Sequence, residues 1–365
     1  MGPGAGLVSR TASHPGRRKQ MKADLPSDRR PPSPASPVAP YPGPGLAWYV
    51  TFLLTCAYML SFVDRQILNL LVEPIRKDLA ISDTQISLLQ GFAFVATYIL
   101  FSIPLGRLVD TGRRTFLIAG GITFWSLATA ACGLTRSFGG LFAARACVGI
   151  GEATLTPAAW SLIADHYPPD KRATPISVFL MGPYLGAGMA LILGGQVMGM
   201  LSEVEAVALP LLGDVRPWQL TFILVAAPGL VFALLMMLVP EPARKGLLPD
   251  APRSRPVGLR EIGTFICSRG RIYAALLLGV PCLIVILYGL QAWVPTYLVR
   301  VHGMSLSAAG LGYGTIALVA GSAGVLLGPV VGRKLKARGY VDYHLRLPVA
   351  CAALLSPPNA RLCLG

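Results

Sequence analysis

The chain has 365 residues, of which 53% are hydrophobic and only 13% are charged, and its mean hydropathy is +0.59. A soluble domain carries about a quarter charged residues, so this composition excludes a soluble globular protein. The net charge of +15 does not indicate a nucleic-acid-binding protein, because the basic residues fall in short loops and in the N-terminal tail. No groove-reading motif accompanies them, and no nucleic-acid partner is expected.

The chain opens with residues 1–45, which are rich in Pro, Gly, Ser and Arg and are predicted to form a disordered cytoplasmic tail. Apolar stretches of the length that crosses a bilayer follow. These stretches predict about eight membrane-spanning helices, at 46–72, 86–108, 115–135, 138–165, 174–200, 218–240, 272–298 and 307–331. The expected fold class is therefore an all-α integral membrane protein.

Loops between these spans alternate between basic and acidic. The positive-inside rule then places the basic loops and the N-terminus in the cytoplasm. Segment 241–271 is predicted to be a cytoplasmic linker between an N-terminal six-helix bundle, 46–240, and a partial C-terminal bundle, 272–346. Residues 347–365, which end in "SPPNARLCLG", are interpreted as a remnant or a frameshifted end.

Three of the ionisable residues inside the predicted spans stand out as candidates for function, namely Asp64 in the first and Arg145 and Glu152 in the fourth. A charge at the centre of a membrane helix costs about 2.5–3.5 kcal/mol on the insertion scale. The fourth helix is therefore expected to face protein or a water-filled cavity, with Gly149 and Gly151 allowing close helix approach. Asp64 and Arg145 are predicted to act in proton coupling, and Arg145 and Glu152 to line the substrate cavity. The alternative is a static salt bridge that only holds the helices together.

Two further motifs can be interpreted either as functional elements or as ordinary features of helix packing and topology. Gly106, Asp110, Arg113 and Arg114 lie in the short loop "GRLVDTGRR" and are interpreted as a cytoplasmic latch of helix ends, or else as ordinary positive-inside charge. Residues 181–195, "MGPYLGAGMALILGG", form a glycine stripe in the fifth span. Gly182 and Gly186 in this stripe are predicted to serve close helix packing.

Cofactor and enzyme signatures are not found in the sequence. The seven cysteines and four histidines show no metal-binding spacing, so neither a metal nor a cofactor is expected. Ser161, Asp165 and His166 lie near one another at a helix end without a nucleophile motif, so no enzymatic activity is predicted. Tyr288 and Tyr297 near the end of the seventh span are interpreted as part of an interfacial aromatic belt.

Several of these motifs, in this order, resemble those of the major facilitator superfamily. The loop "GRLVDTGRR", the run from Arg145 to Glu152 and the glycine stripe match three of its motifs, and "FVDRQILNLLVEPIRKDLAISDTQISLLQGFAF" resembles its spinster-like branch. The loop departs from the family pattern at Thr111, where a basic residue is usual.

The resemblance implies two six-helix bundles around a central cavity and transport by alternating access. It implies a proton-coupled secondary transporter of an amphipathic or organic-anion small molecule, lysolipid-like compounds included, with protons and membrane lipid as the other partners. It also implies a multi-pass protein of the bacterial inner (plasma) membrane. The superfamily has about twelve spans, so a C-terminally truncated, non-transporting membrane fragment is the alternative expectation.

Overall fold

The computed structural model describes residues 40–201, 204, 206–209, 213–245, 259–340, 342, 346 and 349–351. The predicted tail 1–45 lies almost entirely outside the described residues. The middle of the predicted linker 241–271 and most of the predicted remnant 347–365 lie outside them as well.

Helices dominate the described chain, which confirms the predicted fold class. They are α1 (Pro44–Leu70), α2 (Val72–Leu79), α3 (Asp83–Ser87), α4 (Ala93–Thr111), α5 (Arg114–Cys132), α6 (Phe138–Glu152), α7 (Leu155–His166), α8 (Ala173–Met200), α9 (Pro217–Met237), α10 (Leu259–Ser268), α11 (Gly270–His302), α12 (Leu306–Ile316) and α13 (Ser322–Ala337). The π-helical turns Leu88–Phe92 and Ala317–Gly321 join α3 to α4 and α12 to α13, and a 3-10 turn at Pro169–Lys171 precedes α8.

Seven continuous helical segments within the described residues are long and apolar enough to cross a membrane. The predicted fourth span differs from the sequence-based expectation, because it is divided into α6 and α7 at Ala153 and Thr154. Pro157 explains the interruption, since it has no N–H with which to continue the helical hydrogen bonding. The Thr154 hydroxyl also donates to the Gly151 carbonyl at 2.9 Å, which competes with regular helix geometry.

Serine caps mark where several helices begin. Ser82 forms a capping box with Gln85 at the start of α3. Ser137 and Ser305 accept hydrogen bonds from backbone N–H groups in the first turns of α6 and α12. These side chains satisfy donors that have no partner within the helix, so they fix the start of each segment.

A short β-hairpin is the one departure from an all-helical fold among the described residues. β1 (Val207–Leu209) pairs antiparallel with β2 (Gly213–Val215), and Val207 lies opposite Val215. Gly213 has a φ of +71°, a backbone conformation that favours glycine. The hairpin lies between α8 and α9, in a loop that the sequence marked only as acidic.

The helices run alternately between two ends of the bundle. We call the end that carries Arg114 and Arg244 the basic end, and the end that carries Glu73 and Asp83 the acidic end. α1 packs chiefly on α8, whereas α5 packs on α6 and α9. The large side chains at the centre of these contacts are fully buried, among them Leu54, Ile67, Trp125, Phe179 and Phe222.

Gly186 illustrates how closely α1 and α8 approach. A Cβ atom on Gly186 would lie 2.9 Å from the Phe62 Cβ atom and against the Met59 carbonyl oxygen. We predict that Gly186→Ala lowers stability by about 1–3 kcal/mol, because the added methyl group overpacks a backbone contact. Thermal unfolding of the purified protein in detergent measures the change.

Gly120→Ala is the matched control for this prediction. Gly120 lies in α5, and nothing lies within 4 Å of the position that an added methyl group would take. Alanine also lowers the conformational entropy of the unfolded chain. The unfolding temperature of this variant should stay the same or rise. Equal losses in the two variants would show that the α1–α8 approach does not limit stability.

Candidate functional site: a buried charge cluster and its two flanking ends

Two acids and two arginines meet in the interior between α1 and α6. Asp64, Arg145 and Glu152 are 3%, 1% and 1% exposed. Arg65, next to Asp64 in α1, joins them and keeps 19% of its side chain exposed. The three ionisable residues found from the sequence therefore lie together, and the four formal charges cancel.

Glu152 takes its partners from α1 rather than from its own helix. Its Oε2 atom accepts hydrogen bonds from the Ser61 hydroxyl at 2.6 Å and from Arg65 Nε at 2.7 Å, and Arg65 Nη2 lies at 2.5 Å. Ser61 and Arg65 are four residues apart, so a regular helix presents them on one face. The other carboxylate oxygen, Oε1, is buried without a hydrogen-bond partner among the described residues.

Arg145 contacts the main chain of Asp64. Its Nη1 atom donates to the Asp64 carbonyl oxygen at 3.1 Å, while its Nε atom is buried and has no partner within the described chain. No ion pair joins the two side chains among the residues described, although the Asp64 carboxylate interacts electrostatically with Glu152 and Arg145. The arrangement thus leaves a donor of Arg145 and an acceptor of Glu152 unused inside the protein.

Aromatic rings surround the Arg65 guanidinium. Its central carbon lies 4.7 Å from the ring centroid of Phe62, 4.5 Å from that of Phe94 and 5.5 Å from that of Tyr98. Such cation–π contacts stabilise a cation that has lost part of its hydration. The rings therefore add to the stabilisation that the Arg65 guanidinium receives from Glu152.

The predicted packing glycines lie where neighbouring backbones come close. A Cβ atom on Gly149 would lie 2.5 Å from the Thr97 hydroxyl oxygen, and one on Gly151 would lie 2.8 Å from the Trp125 nitrogen. In α8, a Cβ atom on Gly182 would lie 3.0 Å from the Thr55 carbonyl oxygen, and Gly186 lies one turn further along. These positions bring α4, α5 and α8 against the helices that carry the cluster.

A second group of charges lies at the basic end, around Arg114. This fully buried side chain pairs with Asp165 and donates to Glu241 Oε1 at 2.7 Å and to the Ser161 hydroxyl at 2.8 Å. Burial raises the pKa of the Glu241 carboxyl, but the hydrogen bonds from Arg114 and Thr115 outweigh burial and leave this pKa below its ordinary value. Arg114 thus joins the start of α5 to α7 and to the segment after α9.

The other residues of the predicted latch are arranged differently. The Asp110 carboxylate and the Arg113 side chain are exposed, and Arg113 lies 4.4 Å from the ring centroid of Phe116. Gly106 has open space where a Cβ atom would lie. Arg244 binds the C-terminal end of α4, because its guanidinium donates hydrogen bonds to the carbonyl oxygens of Val109, Asp110 and Gly112.

At the acidic end, α11 is tied to the first helices of the chain. Arg300 Nε donates to Glu73 Oε1 at 2.5 Å, and its two terminal nitrogens bond the Asp83 carboxylate at 2.8 and 3.0 Å. Closer to the middle of the helix, Gln66 Nε2 donates to Gln291 Oε1 at 3.0 Å. By contrast, the half of α11 nearer the basic end is exposed.

Sequence reasoning missed Arg65, Ser61 and the partners of Arg114. Arg65 had a visible signal, since it is a second charge beside Asp64 in an apolar run. Glu241 and Arg244 are also visible directly after the sixth predicted span, but their connection to Arg114 requires the fold. Tyr288 lines a cavity between α1, α8, α11 and α13, and its interpretation as an interfacial residue stays a prediction.

Comparison with known proteins finds relatives that all belong to one superfamily of transport proteins. A sequence profile of the Major Facilitator Superfamily matches residues 54–359. An MFS-type efflux pump of Mycolicibacterium smegmatis is 32% identical over 291 residues, which cover 80% of this chain and 63% of the pump. Protein spinster homolog 1 of Homo sapiens is 27% identical over 314 residues, which cover 80% of this chain and 56% of that protein. The chain therefore spans less than two thirds of the length of these relatives.

Solved structures agree with the sequence comparison. The crystal structure of a bacterial homolog to the human lysosomal transporter spinster, in an inward-facing and unoccupied conformation, superposes with a TM-score of 0.69. It is 33% identical, and the match covers 81% of this chain and 64% of that chain. A peptide transporter POT in complex with sulfate shares the fold, with a TM-score of 0.51 at 18% identity.

The profile covers well over half of the chain, and the solved relative matches both its sequence and its fold. These findings confirm the family that the sequence motifs indicated, whose members are transporters rather than enzymes. This chain belongs to the Major Facilitator Superfamily and is, within it, similar to the spinster proteins.

Proposed function

We propose that this chain functions as a secondary transporter, in which the buried cluster of α1 and α6 couples the movement of protons to that of an amphipathic or organic-anion small molecule. Lysolipid-like compounds belong to this class. The proposal rests on how the two carboxylate oxygens of Glu152 are hydrogen-bonded. One of its oxygens accepts every hydrogen bond from Ser61 and Arg65, while the other is buried and has no partner among the described residues.

A carboxylate in this position has a site ready for a proton. Protonation at Oε1 removes the negative charge that holds Arg65, and the guanidinium then has only the surrounding rings and a polar substrate group to interact with. An anionic substrate group supplies the missing charge. Proton binding and substrate binding at this cluster are thereby linked through a single arginine.

Asp64 and Arg145 form the second part of the cluster. The Asp64 carboxylate lies in the field of two arginines and one acid, so its protonation changes the balance that Glu152 experiences. Arg145 holds the main chain of α1 at Asp64 and retains one unused donor for an anionic group. We assign proton coupling to Asp64 together with Glu152, and anion binding to Arg145 together with Arg65.

The distribution of charge supports an orientation, and the similarity to a bacterial efflux pump supports a location. We propose a multi-pass protein of the bacterial inner membrane with the basic end and the N-terminus in the cytoplasm, because basic residues are retained on that side. The ties of α11 at the acidic end and its exposure towards the basic end then correspond to a cavity closed on the outside. Alternating access requires these ties to break in the opposite state.

We assign the role of a latch at the basic end to Arg114 with Asp165 and Glu241. Their contacts join α5, α7 and the segment after α9 into one rigid unit. Rigid halves are needed if the two sides of the transporter are to rock against each other as bodies. In this assignment Asp110 contributes its main-chain carbonyl, which Arg244 binds.

Proton coupling is tested with Asp64→Asn and Glu152→Gln. Each variant keeps the shape of its side chain but cannot carry the proton, so we expect proton movement driven by substrate to fall by about tenfold or more. Proteoliposomes are loaded with a pH-sensitive dye, lysophosphatidylglycerol is added as the test substrate, and the change in internal pH is recorded.

Asp170→Asn is the matched control, because Asp170 is exposed in the 3-10 turn before α8. It should leave proton movement unchanged. Unfolding temperatures close to that of the parent chain establish that the two cluster variants are folded. Undiminished proton movement in folded Asp64→Asn and Glu152→Gln would refute the coupling role of the cluster.

The latch predicts a dependence of stability on pH. Since the pKa of Glu241 is lower in the folded protein than its ordinary value of 4.5, this group stabilises the fold above about pH 4.5, and the contribution is lost as the pH falls through the lowered pKa. We predict that Glu241→Gln removes about 2 kcal/mol at neutral pH by leaving Arg114 with fewer partners. Its unfolding temperature should fall less than that of the parent as the pH is lowered.

Unfolding temperatures of the protein in lipid nanodiscs, recorded between about pH 7 and about pH 3.5, cover this window. Glu261→Gln serves as the control, since Glu261 is exposed on α10, and it should follow the parent at every pH. If Glu241→Gln follows the parent as well, Glu241 does not act in the latch.

A further inference from the structure

A cavity of about 260 Å³ lies between α1, α8, α11 and α13. Its wall is apolar and aromatic, apart from the hydroxyl groups of Tyr58, Tyr184 and Tyr288 and the carboxamide of Gln291. No acidic or basic side chain of the described residues lines it. The polar groups that an occupant would meet there are therefore three phenols and one amide.

The amide of Gln291 is the last member of a chain of carboxamides. Gln90 Nε2 donates to Asn69 Oδ1 at 3.0 Å, Asn69 Nδ2 donates to Gln66 Oε1 at 2.7 Å, and Gln66 Nε2 donates to Gln291 Oε1 at 3.0 Å. In each of these three hydrogen bonds, the NH2 group of one carboxamide donates to the oxygen of the next, from Gln90 towards Gln291. This chain begins in the π-helical turn Leu88–Phe92, crosses α1 and ends on α11.

The direction of the chain determines what Gln291 can offer to the cavity. Its oxygen already accepts the bond from Gln66, whereas its Nε2 group has no hydrogen-bond partner in the part of the chain that the structure describes. The oxygen of a primary amide has two lone pairs, one of which is used here, whereas both hydrogens on Nε2 are unused, so Gln291 offers the cavity mainly donors. Successive amide bonds also polarise one another, which strengthens the donor at the end of the chain.

Charge near the cavity favours the same kind of ligand. Phe62 lines the cavity and carries the Arg65 guanidinium 4.7 Å from its ring centroid. The Arg65 guanidinium therefore lies just behind the aromatic wall, and in the proposed mechanism protonation of Glu152 leaves its positive charge available to attract an anion.

We propose that Gln291 recognises the hydrogen-bond-accepting head group of the substrate, a phosphate or a carboxylate, whose short apolar part packs on the aromatic wall. This inference rests on the proposed transport function and deepens it, because it assigns a residue that selects the substrate by the direction of its hydrogen bonds. A head group that only donates hydrogen bonds, such as an ammonium group, cannot pair with the Nε2 donors of Gln291.

The test compares two ligands that share an eight-carbon chain, octyl phosphate and octylamine. Binding to the full chain in lipid nanodiscs is measured by calorimetry at neutral pH, with empty nanodiscs as the blank. The parent chain should bind octyl phosphate more tightly than octylamine. Gln291→Glu replaces the donor with a charged acceptor, so the affinity for octyl phosphate should fall by about tenfold or more while that for octylamine rises.

Two further variants keep the test decisive. Methionine has a similar length to glutamine but lacks an amide group, so Gln291→Met should lower the affinity for octyl phosphate and leave the affinity for octylamine unchanged. This variant replaces Gln291→Glu if Gln291→Glu does not fold. Gln196→Glu is the matched control, because Gln196 lines a different cavity at the acidic end beside Met198 and Ser305. It should leave the preference for octyl phosphate intact.

The outcomes separate this inference from the transport proposal. Gln291 does not recognise the head group if each Gln291 variant changes the affinity for octyl phosphate and the affinity for octylamine by the same factor. The same conclusion follows if Gln196→Glu changes these affinities as Gln291→Glu does. Binding requires no proton movement. A retained preference that depends on Gln291, together with a failed proton-flux experiment, would support this site and count against coupled transport alone.

Discussion

Burial of charge inside an apolar bundle is the constraint on which the site depends. Removing a carboxylate or a guanidinium from water is costly unless each finds a partner of opposite charge and further hydrogen bonds. Arg65 and Glu152 meet this requirement with two short bonds, and Ser61 adds a third to the same oxygen. The requirement is met only in part, because Glu152 Oε1 and Arg145 Nε remain buried without partners among the described residues. A site that is left incomplete in this way is suited to a change of proton or ligand occupancy.

The packing of the bundle serves the same site. Glu152 lies at the end of α6, immediately before the interruption that Pro157 imposes on the fourth span. Glycines at 149 and 151 let α4 and α5 approach α6, the helix that carries Arg145 and Glu152, closely. The helix interruption after α6 and the glycines within α6 would weaken an isolated helix, but in this bundle they help to position the charged residues.

The sequence predicts the membrane fold, the spans and the three charges because each of these is a local property. Apolar length identifies a span, and an ionisable residue within it stands out against its neighbours. The identity of each partner is not a local property. Arg145 is the expected partner for an acid, yet Glu152 is held by Arg65, and only the position of α1 beside the end of α6 in the fold decides between the two arginines. The same holds for Arg114, whose partners lie 51 and 127 positions away in the chain.

The carboxamide chain connects this charge cluster to the tie at the acidic end. Gln66 lies directly after Arg65 in α1, so the helix that carries this arginine also carries the amide that binds α11. In the proposed mechanism, a shift of α1 on release of Arg65 changes the geometry at Gln291, nine residues before Arg300 in the same helix. Since Arg300 binds both Glu73 and Asp83, the acidic end is coupled to the cluster through α1 and α11. Two rigid helices joined by a few polar contacts are sufficient to link occupancy of the interior to closure of that end.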